Sequence, residues 1–250
     1  MSVLDKILTH KREEIKTLTV PDMERSKPVL DFKASLTAKP FICEVKKASP
    51  TLGDINTGAD PVEVAAGYDR FGAGAVSVLT DAEFFKGSFQ FLRDVAQKIN
   101  IPVLCKDFII SEKQIDVAYI YGADAVLLMA TALSAEEYAR LNSYARSKGL
   151  AVLTEIHEAE EYEIVRAENP DIVGVNARNL KTLKIDKDKA AEIIEKLPSK
   201  HFKVAESGMG CAADVRLMKV AGASAFLVGS SLMSADDPEA VFADMSRGLK

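Results

Sequence analysis

Phe41-Ile-Cys-Glu-Val-Lys-Lys-Ala-Ser-Pro-Thr-Leu-Gly53 is an apolar run of strand character that carries two charges just before it ends. Side chains two apart on a strand share a face, so Glu44 and Lys46 project together while Cys43 and Val45 point the other way. An unpaired buried charge is costly, so such a residue must find a partner, shift its pKa or serve a ligand. Two readings follow. One is an internal Glu–Lys ion pair that closes the top of a core. The other is a polar site at the strand's carboxyl end, followed by a Ser-Pro turn that offers a hydroxyl and backbone N–H groups.

Outward from this stretch, seven more short β-branched runs recur: Ala75 to Thr80, Pro102 to Asp107, Ala125 to Met129, Ala151 to Ile156, Ile172 to Asn176, Phe202 to Glu206 and Ala225 to Gly229. Stretches with helix chemistry separate them: Pro61 to Phe71, Gly87 to Ile99, Ser111 to Tyr121, Ser134 to Lys148, Glu158 to Glu168, Asp186 to Leu197 and Cys211 to Val220, with a last one at Asp237 to Gly248. Ser111 and Ser134 are followed three residues on by Gln114 and Glu137, the spacing of a capping box. Alternating strand and helix implies a parallel sheet covered by helices, and eight such units imply closure into a single (β/α)8 TIM barrel. Gly72-Ala-Gly-Ala-Val, Gly122-Ala-Asp-Ala-Val and Gly222-Ala-Ser-Ala-Phe repeat one pattern where a helix ends and a strand begins. Before the barrel, Leu4, Ile7, Leu8, Ile15 and Leu18 have helical spacing, and residues 20–40 read as irregular chain.

Composition narrows the function. The chain has 250 residues, 48% hydrophobic and 28% charged, which suits one barrel of this kind. A formal net charge of -5 without a basic stripe, 7% aromatic residues and no Trp argue against nucleic acid and membrane surfaces as partners. Three scattered cysteines, Cys43, Cys105 and Cys211, have no metal-ligand spacing and suit a reduced, cytoplasmic setting. The first residues lack the apolar stretch of a signal peptide.

In such barrels the carboxyl ends of the strands form the active face. Here they hold Glu44 and Lys46 on the first strand, Lys106 and Asp107 on the third, Glu155 on the fifth, Asn176 with Arg178 on the sixth, and Glu206-Ser207-Gly208 on the seventh. Two lysines and three glutamates at one mouth push each other's pKa values apart and suit general acid–base work. Glu206-Ser-Gly-Met-Gly210 and Val228-Gly-Ser-Ser-Leu-Met233 place small residues before helical turns, after the seventh and eighth strands, where many barrels bind phosphate. Of the histidines, His10 falls in the leader and His201 at the amino end of a strand, and His157, just past the fifth strand, is read as a bystander.

These residues carry a resemblance. Glu44-Val-Lys-Lys-Ala-Ser-Pro50, Ser77-Val-Leu-Thr-Asp81 with Phe84-Phe-Lys-Gly-Ser88, Leu104-Cys-Lys-Asp-Phe108, Gly174-Val-Asn-Ala-Arg-Asn-Leu180, Ala205-Glu-Ser-Gly208 and Val228-Gly-Ser-Ser231 resemble the indole-3-glycerol-phosphate synthase family of tryptophan biosynthesis, in register from about residue 41 to 233. The resemblance implies an N-terminal helical extension, residues 1–40, packed on the barrel mouth, and a catalytic barrel at 41–250. It implies that 1-(2-carboxyphenylamino)-1-deoxyribulose 5-phosphate closes onto its ring, loses carbon dioxide and then water, and leaves indole-3-glycerol phosphate. No metal or organic cofactor is implied.

By the same likeness Lys106 is the general acid and Glu155 the proton-transferring carboxylate of dehydration. Lys46 fixes a substrate anion, Glu44 and Asn176 orient sugar hydroxyls and lysines, and Glu206 and Ser207 complete the polar ring. Ser49, Gly208, Gly229 and Ser230 lie nearest the phosphate, Phe108 and Leu128 wall the anthranilate ring, and Arg178 assists binding. Cys105, Ala177 and Thr51 depart from the family's usual residues without removing a proton donor or acceptor. The expected partner is a small phosphorylated substrate; the chain is expected as a monomer or weak oligomer, with room for association with other tryptophan-pathway enzymes. Two alternatives stand: a related phosphosugar barrel such as phosphoribosylanthranilate isomerase, expected to use a cysteine and an aspartate, and a non-catalytic phosphometabolite-binding barrel.

Overall fold

A computed structural model describes residues 2–180 and 182–250. Eight parallel strands close a barrel in sequence order: β1 Phe41–Val45, β2 Ala75–Leu79, β3 Val103–Lys106, β4 Ala125–Met129, β5 Ala151–Ile156, β6 Ile172–Asn176, β7 Phe202–Glu206 and β8 Ala225–Val228, with β8 pairing back onto β1. Both strand faces are covered, which is why the runs read as nearly continuous apolar sequence. One face, with Cys43, Val45, Val76, Val78, Cys105 and Val126, packs under the helices. The other, with Ile42, Ala75, Leu104, Leu127, Leu153, Val204 and Leu227, fills the barrel.

Serine or aspartate side chains cap most of the longer helices, with Cys211 the exception at Ala212–Val220. Ser111 and Ser134 form the expected capping boxes with Gln114 and Glu137. The stretch Glu158 to Glu168 is not one helix: a single α-turn, Tyr162–Val165, lies between two 3-10 turns. Glu161 explains the break at its start, because its carboxylate accepts from the backbone N–H of His157 at 2.6 Å and ties the turn to the end of β5.

The leader divides in two. Helix α1, Val3–Thr17, lies at the strands' carboxyl ends, where Lys11 reaches Asp81 and Asp107, the residues that follow β2 and β3. Residues 18–31 then descend the outside of the barrel. There the Arg25 guanidinium donates to the Tyr119 and Ala123 carbonyls and to Asp124, and the Lys27 ammonium to the carbonyls that end helix Phe89–Lys98. Cations suit the carbonyl ends of helices. Within 20–40, expected to be irregular, helix α2, Phe32–Ala38, buries Phe32 and Leu36 in the barrel cluster. Its Ser35 hydroxyl donates to the Gly74 carbonyl at the amino end of β2. Lys11 thus ties α1 to residues that follow β2 and β3, whereas Ser35 ties α2 to the amino end of β2.

Candidate active site

Four charged groups of the mouth occupy the next inward position after a barrel-filling aliphatic residue: Ile42 then Glu44, Leu104 then Lys106, Leu153 then Glu155, Val204 then Glu206. The strand period of two therefore converts the top layer of the core into a charged floor. Above it opens a cavity of about 460 Å³. Glu44, Lys46, Lys106, Glu155, Asn176, Arg178, Glu206, Ser207, Gly208, Gly229, Ser230 and Phe108 all line it.

Lys106 sits at the centre, with Nζ 2.8 Å from Glu155 Oε2 and 3.3 Å from Glu206 Oε2. Burial favours the neutral amine, but the Glu155 charge, with Glu44 beyond it, outweighs burial and holds the ammonium protonated above its ordinary range. The two glutamates diverge. Burial drives the Glu206 carboxyl up to about 8 against the pull of Lys106, and the neighbouring Glu155 charge adds to the rise. Glu155 resists the same burial because Lys106 and His157 hold it well below the usual carboxylate range. At neutral pH the floor thus carries an ammonium, a carboxylate and a neutral carboxylic acid within one contact shell. Neither buried Glu206 oxygen makes a hydrogen bond.

Missing side chains make room for the charged ones. A Cβ at Gly174 would lie 2.0 Å from Glu206 Oε1, and one at Gly229 would lie 2.4 Å from Glu44 Oε1. Glu44 in turn pairs with Lys46 at 2.6 Å, so the ion pair and the polar site read from the first strand coexist.

After β7 the backbone turns through Ser207 and Gly208, with φ 66° and 78°. The left-handed region costs a serine about 1 kcal/mol or more, and such strain gathers at functional sites. The Ser231 hydroxyl donates to the Met209 carbonyl at 2.7 Å and joins this loop to the single turn Ser230–Met233 after β8. Backbone N–H groups in a first helical turn have no partner within the helix, which leaves them for a ligand.

Two expected site residues fall elsewhere. Leu128 is fully buried in the layer beneath the helices, and its neighbours Leu127 and Met129 face the cavity instead. Strand parity, miscounted by one, explains the difference. Ser49 lies in a small hairpin, Ala48–Ser49 against Gly53–Asp54, where its hydroxyl accepts from the Leu52 N–H, and it does not line the cavity. Leu52, Phe85, Leu180 and Ile185 were not foreseen as lining residues; with Phe108, whose ring centroid lies 6.0 Å from that of Phe85, they build an apolar wall. Cys43 and Cys105 are buried under the helices and Cys211 is exposed, so among the described residues no cysteine reaches the cavity. The described residues hold no cluster of three His, Cys, Asp or Glu able to bind a metal, and no helix long and apolar enough to cross a membrane.

A (β/α)8 barrel with one ammonium between two unlike carboxyl groups, an apolar wall and glycine-bearing loops after β7 and β8 at one mouth has the make-up of a barrel enzyme's active site. A sequence model of the indole-3-glycerol phosphate synthase family matches residues 4–245. Proteins named indole-3-glycerol phosphate synthase from Bacillus cereus (strain ATCC 10987 / NRS 248) and Bacillus anthracis are 42% and 40% identical over 246 residues, 97% of either chain. The chain belongs to the indole-3-glycerol phosphate synthase family, enzymes of tryptophan biosynthesis. Among solved structures, a 3-hexulose-6-phosphate synthase (TM-score 0.68, 17% identity, 84% of this chain and 99% of that one) and a thiamine phosphate pyrophosphorylase from Pyrococcus furiosus (TM-score 0.63, 16% identity, 86% and 97%) share the barrel fold.

Proposed function

We propose that this chain converts 1-(2-carboxyphenylamino)-1-deoxyribulose 5-phosphate into indole-3-glycerol phosphate as a carbon–carbon lyase, with the mouth residues in the following roles. The observation that carries the reading is Lys106, held as an ammonium between an ionised and a neutral glutamate on the cavity floor. The anthranilate ring lies against Phe108 and Phe85, and the phosphate in the loops of Gly208, Gly229 and Ser230. As the carboxyl-bearing ring carbon attacks the ketone, Lys106 donates its proton to the carbonyl oxygen, and carbon dioxide leaves as aromaticity returns. Lys106, reprotonated, gives the new hydroxyl a second proton so that it departs as water, and Glu155 takes the proton lost from the methylene carbon beside nitrogen.

Lys46, paired with Glu44, faces the substrate carboxylate; Asn176, Ser207 and Arg178 hold the sugar and phosphate; Glu206, uncharged at neutral pH, sharpens the acidity around Lys106. The enzyme works in the cytoplasm as a monomer or weak oligomer. Replacing Lys106 by Met tests the reading: turnover falls several hundred-fold or more with the fold intact, and near-normal turnover removes Lys106 from its role.

A further inference from the structure

The reaction consumes a proton. The ketone oxygen leaves as water and needs two; the methylene carbon returns one in dehydration, and the ionised substrate carboxylate leaves as carbon dioxide carrying none. The other must enter from solvent each turnover, while substrate fills the mouth above Lys106, whose side chain is 13% exposed, and Glu155, at 2%.

His157 supplies a second approach. Its Nε2 lies 3.2 Å from Glu155 Oε1, the oxygen not paired with Lys106, an ion-pair contact that lacks hydrogen-bond alignment and leaves this buried nitrogen with no other partner. Its Nδ1 lies 3.1 Å from the hydroxyl of Thr131, an exposed residue after β4, and 3.6 Å from Glu161 Oε2. Thr131 Oγ1 donates to Glu161 Oε1 at 2.9 Å, so its lone pairs face the imidazole, and the Glu161 side chain is 16% exposed. A cavity of about 180 Å³ adjoins the ring and is lined by Glu158, Asn176, Lys184, Asp186 and Lys189. It is polar and large enough for water.

We propose that His157 is a positioning and proton-relaying residue that acts through Glu155: it passes a proton from the Thr131–Glu161 side to Glu155, which returns it to Lys106 after each donation. The imidazolium gives its Nε2 proton to the Glu155 carboxylate, which passes it to the Lys106 amine; the neutral ring keeps Nδ1–H, and a turn of the ring presents its bare nitrogen to the Thr131–Glu161 side, where a solvent proton restores the imidazolium. Burial favours a neutral ring, but Glu155 and Glu161 outweigh it and raise the group to about 9, so the relay is loaded at neutral pH. The inference rests on the synthase reading.

Steady-state assays of the full chain and its His157→Gln and Thr131→Val variants, with Lys106→Met as reference, separate the two. For His157→Gln the expected result is a kcat lowered about ten-fold or more with KM nearly unchanged, partial recovery with millimolar imidazole, and no further loss above about pH 9, where the parent is expected to lose rate as His157 deprotonates. Thr131→Val, altered at an exposed residue, is expected to lower kcat by a smaller factor and carries the test if the first variant fails to fold. A parent-like kcat in both variants, or a loss in His157→Gln that imidazole leaves untouched, overturns the relay while Lys106→Met still reports on the synthase reading. A parent chain without synthase activity overturns that reading instead.

Discussion

Two lysines lie buried among carboxylates within this barrel, and they do different things. Lys11, from α1, is fully enclosed, with Nζ 2.8 Å from Glu14, 2.9 Å from Asp81 and 2.9 Å from Asp107. Asp107 also accepts from the Thr80 hydroxyl and the Phe108 N–H, and Asp81 from the Phe84 N–H. Lys106, one residue before Asp107, faces the cavity and has a partner, Glu206, whose oxygens lack hydrogen bonds. In both places burial is outweighed by neighbouring carboxylates and the ammonium is kept. Each cluster also holds a buried carboxylate oxygen with no hydrogen bond, Asp81 Oδ2 beside Lys11 and those of Glu206 beside Lys106; what separates the two is access, because an enclosed cluster holds an element in place, whereas one that lines the cavity can turn its polarity to a substrate.

The largest effect that can break this contrast is on rate. Lys106→Met is expected to lose several hundred-fold or more in turnover, with a melting temperature close to the parent's. Lys11→Met is expected to reverse the pattern. Leaving Asp81 and Asp107 buried without their cation costs roughly 3–5 kcal/mol, about 10 °C in melting temperature for a chain of this size, and the molecules that stay folded keep most of their turnover. Thermal melts beside steady-state assays of both variants check this; equal effects on rate and stability in the two would erase the distinction.

Glu206→Gln sharpens the contrast through pH. Burial pushes the folded carboxyl up to about 8, above its ordinary 4.5, so at acid pH it costs folding nothing. As pH rises from 4.5 towards 8 the unfolded chain ionises while the folded one holds its proton, and stability is lost across that window. Removing the group is expected to raise the melting temperature at pH 9 relative to the parent, leave it little changed near pH 4.5, and lower activity, a stability–function exchange confined to the open cluster. Melts at the two pH values decide it. The smallest effect expected is weak binding of inorganic phosphate or sulfate beside Gly208 and Ser230, visible as density in an anion-soaked crystal and as slight thermal protection. Empty density there would remove the phosphate assignment.

Much of this was legible in the sequence, for a physical reason. Strands buried on both faces between helices leave continuous apolar runs, and four of them, Ala125–Met129, Ala151–Ile156, Ile172–Asn176 and Phe202–Glu206, have the bounds their residues suggest. Strand-end position was enough to gather Lys106, Glu155 and Glu206, since the barrel brings all carboxyl ends to one rim. Leu128 was misplaced because an all-apolar strand has no alternation to fix its parity. Helix α2 was missed because only Phe32 and Leu36 of its seven residues are buried, too short a pattern to show a period. Lys11 reads as an ordinary surface charge on an amphipathic helix paired with nearby Glu14, and its two barrel partners, Asp81 and Asp107, lie seventy and more residues away. The role of His157 depends on Thr131 and Glu161, which only the folded rim brings to it.

The most direct test mixes the purified chain with 1-(2-carboxyphenylamino)-1-deoxyribulose 5-phosphate and follows indole fluorescence, for the parent, Lys106→Met and Lys11→Met together. The expected result is rapid formation of indole-3-glycerol phosphate by the parent, almost none by Lys106→Met, and most of the parent rate per folded molecule by Lys11→Met. Product formed by Lys106→Met at the parent's rate would contradict the account.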